Sequence, residues 1–179
     1  LYQGLFFVLC VEFLVQLAHY IQMPIDTPVH CCSVLFDQST SMGAFSSQAT
    51  LLGIFYGLFS LLIILRFLHL AWLFGFFSFV WGGIAVVSLI QFFSPYIYEL
   101  PTHKCPFCIL QAEYFYVGYL IYALLFLGGI GGLGVMVLKA LKREISPLWY
   151  NLGLTCNTLL LFLLTAYPLS YYLRNGVWL

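Results

Sequence analysis

Charge is what this chain has least of. Its 179 residues include six Lys and Arg and six Asp and Glu, so charged residues make up 7% and the formal net charge is zero; an ordinary soluble domain carries about 25%. Only six cations, none of them before Arg66, build no basic surface, which excludes nucleic acid as a partner. Nothing resembling a repeat, a charge block or a linker divides the sequence, so one domain over 1–179 is expected. Position 1 is Leu and not Met, and the apolar run from Leu5 to Leu17 has no small-residue cleavage site after it. That run continues to about Ile21 and reads as a retained helix.

What the chain has in place of charge is apolar surface. Hydrophobic residues make up 63%, well above the roughly 45 to 50% of soluble domains and more than one core of this length can hide. This is the composition of an integral membrane protein. A spanning helix takes about 20 apolar residues, and five stretches qualify, at about 4–22, 48–66, 70–93, 107–138 and 149–172. The expected fold class is therefore all-α, with five transmembrane helices. Gly128, Gly129, Gly131, Gly132 and Gly134 lie in the fourth stretch, where small residues let neighbouring helices approach closely.

Orientation follows from the cations. Arg66 separates spans two and three, and Lys139, Lys142 and Arg143 separate spans four and five, so both connections should be cytoplasmic. The N-terminus is then inside and the C-terminus outside. The loops 23–47 and 94–106 face outward, and each brings a cysteine pair, Cys31 with Cys32 and Cys105 with Cys108. Four of the six cysteines thus meet on the side of the membrane where disulfides form and persist. Cys10 and Cys156, isolated within spans, read as small apolar residues.

The second pair forms the motif Cys105-Pro106-Phe107-Cys108, preceded by His103 and Lys104. A C-x-x-C at the mouth of a helix places both sulfurs on one side of a first turn, an arrangement suited to a dithiol that cycles between reduced and oxidised states. The spacing predicts Cys105 as N-cap and Pro106 at N1, with the helix dipole and Lys104 both favouring a Cys105 thiolate. Cys108 is expected one turn deeper, nearer the apolar body. A structural bridge across two intervening residues would close too small a loop to constrain much chain. Cys31 and Cys32 are adjacent, with α-carbons about 3.8 Å apart, below the roughly 4.4 Å lower end of ordinary disulfides. Two readings stand for them: a strained vicinal disulfide, or one of the two bridging transiently to Cys105.

The run Cys31-Cys32-Ser33-Val34-Leu35, then Gly43 and Leu52-Gly53-Ile54-Phe55-Tyr56-Gly57, resembles the loop and second helix of the vitamin K epoxide reductase family. Cys105-Pro106-Phe107-Cys108-Ile109-Leu110 resembles that family's active-site motif at its fourth helix. The likeness covers about residues 5–140 and includes the order of elements. It implies a four-helix transmembrane bundle holding a quinone (ubiquinone or menaquinone) near the C-x-x-C, with a fifth helix as in many bacterial members. It further implies electron flow from secreted dithiols, through a periplasmic thioredoxin-like partner and the loop cysteines, to Cys105, Cys108 and the quinone. The setting would be a bacterial inner membrane, with both cysteine pairs facing the periplasm.

Two positions depart from the family. Its two loop cysteines stand several residues apart; here Cys31 matches the second by its spacing to Val34, and Cys32 is left to substitute for the first. Where the family has a hydroxyl residue six after the second loop cysteine, this chain has Asp37, with Ser39 close by, as the residues facing the quinone. The DsbB proteins place their C-x-x-C before the second helix and fit the order less well.

Other polar residues stand out in so apolar a chain. Glu12, Gln16 and His19 share one face of span one by their i, i+4, i+7 spacing, as either a functional carboxylate or a polar interhelical contact. Glu113, five residues after Cys108, is placed to relay a proton to a quinone or simply to reach water at the interface. A metal-binding or metal-transport reading competes, because His30, Cys31, Cys32, His103, Cys105 and Cys108 offer donors that suit Zn or Cu(I); the spans lack a file of such residues to carry an ion. A structural subunit of a larger membrane complex is a third class, and it leaves the paired outward cysteines without a role.

Overall fold

A computed structural model describes residues 10–18, 47–101 and 103–179 of the protein. Every regular element among the described residues is helical, and four helices are long and apolar enough to cross a membrane, as the all-α class requires. The chain divides into a unit ending at His30 and a second beginning at Cys31. In the first, α1 is helical over residues 10–18, and Gln16 Nε2 donates to Glu12 Oε1 at 3.3 Å. His19 and most of the expected first span lie outside the described residues, so a fifth span is not shown.

The second unit contains α2 (Gln48–Phe67), α3 (Ala71–Tyr98), α4 (Val117–Ala140) and α5 (Pro147–Asn175). Each boundary that differs from the sequence expectation has a local cause. The third span runs to Tyr98, five residues past the expected end, because Pro95 does not stop it. Proline removes an amide and crowds the carbonyl four residues back. The helix absorbs this by widening into a π turn over Leu89–Phe93 before resuming as Ser94–Tyr98. The fifth span starts at Pro147, behind Ser146, whose side chain accepts from the Leu148 amide at 3.3 Å. It ends where Gly176 adopts φ 71°, a left-handed conformation that closes a helix without a Cβ penalty.

The fourth span departs furthest from expectation. Its α-helix begins at Val117 and not at 107. Residues 108–114 instead form two short 3-10 turns, Cys108–Leu110 and Ala112–Tyr114, and Phe115 and Tyr116 sit at φ 53° and 55°, which no α-helix accommodates. Cys105 is therefore not a helix N-cap, Pro106 is not at N1, and the dipole of α4 ends too far away to act on Cys105, since that field fades within a turn.

Helix α4 packs between α3 and α5, and α2 packs mainly on α3. Apolar burial drives little association inside a lipid phase, so close packing and interhelical hydrogen bonds must hold these spans together. The glycines of α4 provide the closeness: a Cβ on Gly131 would run into the backbone of Gly153 on α5, and one on Gly132 into Ser78 on α3. Asn157 of α5, buried in the same seam, donates from Nδ2 to Ser78 Oγ at 3.3 Å. On the other side of α3, Trp81 stacks on Phe55 with ring centroids 5.3 Å apart and donates to the Phe55 carbonyl at 3.0 Å.

The two ends of this bundle differ in charge. Arg66 closes α2 with its guanidinium 4.8 Å from the centre of the Tyr150 ring and 3.5 Å from Asn151 Oδ1, both on the first turns of α5. Lys139 lies in the last turn of α4, and Lys142 and Arg143 follow it. At the opposite end, where α3 stops and α4 begins, lie the C-x-x-C and the exposed Glu99–Arg174 ion pair.

Candidate functional site

The C-x-x-C belongs to the connection between α3 and α4, and two tyrosines from those helices fix its course. Tyr98, the last residue of α3, donates its hydroxyl to the carbonyl oxygen of Cys105. Tyr122, on the second turn of α4, donates to the carbonyl oxygen of Pro106 at 2.5 Å. Consecutive carbonyls of the motif are thus held by side chains from two different helices. A third restraint lies below: Ile109 is fully buried, and Gly118 packs so closely that a Cβ there would sit 2.9 Å from the Ile109 carbonyl.

The two sulfurs occupy different surroundings. Cys105 is 1% exposed, whereas Cys108 is partly exposed and packs against the hydrophobic cluster of the bundle. Cys108 is near the apolar body, as expected, and Cys105 is the more covered of the two. The Tyr98 hydroxyl lies within electrostatic reach of both cysteines, and that of Tyr122 within reach of Cys105. Phe107, between the cysteines, is exposed.

Around Tyr98 the packing is aromatic and edge-on. Its ring lies 4.3 Å from His103 and 4.7 Å from Tyr114, centre to centre. His103 Nε2 is buried and has no hydrogen-bond partner among the described residues. Next to this cluster opens a cavity of about 300 Å³ lined by Ile97, Tyr98, Glu99, Glu113, Tyr114, Phe115 and Tyr167. Glu113, singled out in the sequence, thus shares a cavity wall with the tyrosine that holds Cys105. Two larger grooves, of about 460 Å³ among α2, α3 and α5 and about 440 Å³ between α3 and α4, have no Cys, Asp or Glu among the described residues of their walls.

Of the other residues singled out, Cys31, Cys32, Asp37 and Ser39 lie outside the described residues, as does His30. Cys156 is buried in α5, consistent with packing. Among the described residues no three His, Cys, Asp or Glu side chains gather as a metal site, so His103, Cys105 and Cys108 do not form one together. Tyr98 and Tyr122, which hold the main chain of the motif, are the residues of this site that sequence reasoning missed. With 13 tyrosines in the chain, nothing in their spacing marked these two.

Comparison of the chain with protein-family models, with curated proteins and with solved structures gave no match.

Proposed function

We propose that this protein is a quinone-coupled thiol–disulfide oxidoreductase of the vitamin K epoxide reductase type, supplying disulfides to exported proteins through a thioredoxin-like partner. The observation that carries the reading is the held C-x-x-C: Tyr98 and Tyr122 donate to the carbonyls of Cys105 and Pro106 at the end of the bundle opposite the basic connections. By the rule that cationic loops stay in the cytoplasm, that end faces the periplasm of a bacterial inner membrane, where exported dithiols are oxidised. The loop cysteines Cys31 and Cys32 would receive electrons from the partner and pass them to Cys105 and Cys108.

The residues beside the pair suit a quinone. The cavity next to Tyr98 is lined by three phenols, Tyr98, Tyr114 and Tyr167, and by the Glu113 carboxylate, groups that can donate to a carbonyl oxygen or relay a proton. Bound there, a quinone would supply the capacity to take up two electrons and two protons. Tyr98 and Tyr122 fix the main chain of the pair, Ile109 and the bundle below it limit water from the apolar side, and Glu113 is placed to pass a proton between cavity and solvent. Asp37 and Ser39 retain the role that the family likeness gives them, as residues facing the quinone.

The test is quinone reduction by the purified, dithiol-reduced protein, followed by the absorbance of a short-chain ubiquinone or menaquinone. The native protein should reduce it, and Cys108→Ala should stop the reduction while still forming a mixed disulfide with a thioredoxin-like partner. Quinone reduction that persists unchanged in Cys108→Ala would remove this reading.

A further inference from the structure

Charge in this chain is separated by position. Where α2 leads to α3 and α4 leads to α5, the chain carries Arg66, Lys139, Lys142 and Arg143 against one carboxylate, Glu144; four positive charges and one negative give +3. Since the whole chain sums to zero, the rest of it carries −3. Lys139, Lys142 and Arg143 are exposed and Arg66 is half-buried. Among the described residues the one ion pair, Glu99–Arg174, lies at the opposite end of the bundle, so no carboxylate there neutralises these four cations.

Setting the orientation of a membrane protein requires only that cations be present in a connection. Here they are also held in place. The Arg66 guanidinium lies over the Tyr150 ring, 4.8 Å from its centre, and donates to Asn151 Oδ1 at 3.5 Å, so the end of α2 and the start of α5 share one site. A guanidinium carries five N–H donors in a flat fork, and the bond to Asn151 uses one of them. Just before α5, Lys142 adopts φ 53°, and the amides of Lys142 and Arg143 donate to the carbonyls of Lys139 and Leu138 at 3.1 and 3.0 Å. This tight turn gathers three of the four cations. Phe67, Leu141 and Leu148, close to these cations in the chain, are all exposed.

We propose that this end of the bundle is a binding surface for the headgroup of an anionic phospholipid, with Arg66 and the Lys139–Arg143 turn holding its phosphate. Four cations do not make a surface for nucleic acid, but they match a single headgroup. A phosphodiester has one negative charge and two free oxygens, which a guanidinium fork can meet with paired hydrogen bonds, while the lysines act as point charges. The position selects a lipid as the source of that phosphate. Spanning helices end at the level of the headgroups, where a basic surface between helices attracts anionic lipids, and the exposed Phe67, Leu141 and Leu148 offer apolar contact to the acyl chains. A bound headgroup would tie the end of α2 to the start of α5. The inference does not rest on the thiol chemistry proposed for the other end.

The experiment titrates the full chain, purified in a non-ionic detergent, with dioleoyl phosphatidylglycerol or dioleoyl phosphatidylcholine, and native mass spectrometry reads the bound lipid. Purified protein is used so that the loss of a cation cannot act through membrane insertion. The native chain should hold phosphatidylglycerol about tenfold more tightly than phosphatidylcholine, and Lys142→Gln combined with Arg143→Gln should bring the two within about threefold. Arg66→Gln should also weaken phosphatidylglycerol binding, whereas Arg174→Gln, at the opposite end, should leave the preference unchanged. Equal retention of the two lipids by the native chain, a preference that survives in the Lys142/Arg143 variant, or the same loss in Arg174→Gln overturns the proposal. Should Arg66→Gln fail to fold, the exposed Lys142/Arg143 pair still decides the matter. Equimolar inorganic phosphate should not displace the lipid; displacement would show a site for a free anion and overturn the assignment to a headgroup.

Discussion

Tyr98 ends α3 and donates its hydroxyl to the carbonyl oxygen of Cys105, so the last residue of one span holds the first cysteine of the motif that leads to the next. With Tyr122 bonded to Pro106 from α4, the position of the C-x-x-C depends on how α3 and α4 pack. A change in the seam between those helices should therefore be felt at the cysteines.

Gly118→Ala tests that dependence where space is tightest. The added methyl would meet Ile109 Cγ1 at 2.8 Å and the Ile109 carbonyl at 2.9 Å, and the backbone there cannot move aside as a flexible side chain would. Overpacking of this kind costs about 1 to 3 kcal/mol. Thermal unfolding in detergent should show the loss, and alkylation of Cys105 by iodoacetamide should speed up as its turn is displaced. Unchanged stability and unchanged Cys105 reactivity would show that Ile109 does not anchor the motif.

Asn157 is the polar link of the α3–α4–α5 seam. Its replacement by Ala removes the hydrogen bond to Ser78 Oγ and leaves that buried hydroxyl without this donor. Interhelical hydrogen bonds in membranes are worth about 0.6 to 2 kcal/mol, and the loss should lie in that range by steric-trap or denaturant unfolding. Adding Ser78→Ala should cost less in the Asn157→Ala background than in the native protein. Additive losses would mean that the pair is not coupled.

The charge difference between the two ends yields a topology test. In a protein whose native cysteines are replaced, Lys142→Cys should resist a membrane-impermeant maleimide applied to spheroplasts and react after lysis, whereas Asn175→Cys should react in intact spheroplasts. The reason is that Lys142 shares its end with Arg66, Lys139 and Arg143, while Asn175 closes α5 beside the Glu99–Arg174 pair. The opposite labelling pattern would put the C-x-x-C in the cytoplasm and remove the case for oxidation of exported proteins.

The loop cysteines make a separate prediction from sequence. Cys31 matches the family spacing to Val34, so Cys31→Ser should abolish disulfide formation in an exported reporter while Cys32→Ser leaves it nearly intact. Equal loss in both would show the vicinal pair acting as a unit, with the strained and readily reduced bond that adjacent cysteines form. No loss in either would exclude a relay through this loop.

The sequence by itself determined the class of this protein and the end of the bundle at which the C-x-x-C lies. Runs of apolar residues longer than a bilayer is thick can only be helices across it, because a lipid phase leaves backbone amides no other partner. The described residues bear this out for four spans, α2 within a residue of its expected bounds. The C-x-x-C at the end of the bundle opposite the cationic connections was legible too, since spans that alternate in direction place every second connection at the same end.

Tertiary structure alone decided the details of the site. The sequence around Cys105 reads as a helix start, with a proline well placed for it, but the left-handed Phe115 and Tyr116 delay α4 to Val117, and the motif becomes a turn held from outside. Periodicity cannot reveal this, because the restraints on that turn are the Tyr98 and Tyr122 hydroxyls and the close approach of Gly118 to Ile109. All three join the ends of α3 and α4 to the irregular connection between them, at separations that a helical period does not encode. Which cysteine is covered follows from the same contacts: a hydrogen-bonded main chain turns Cys105 inward, and the short turn that follows leaves Cys108 partly exposed.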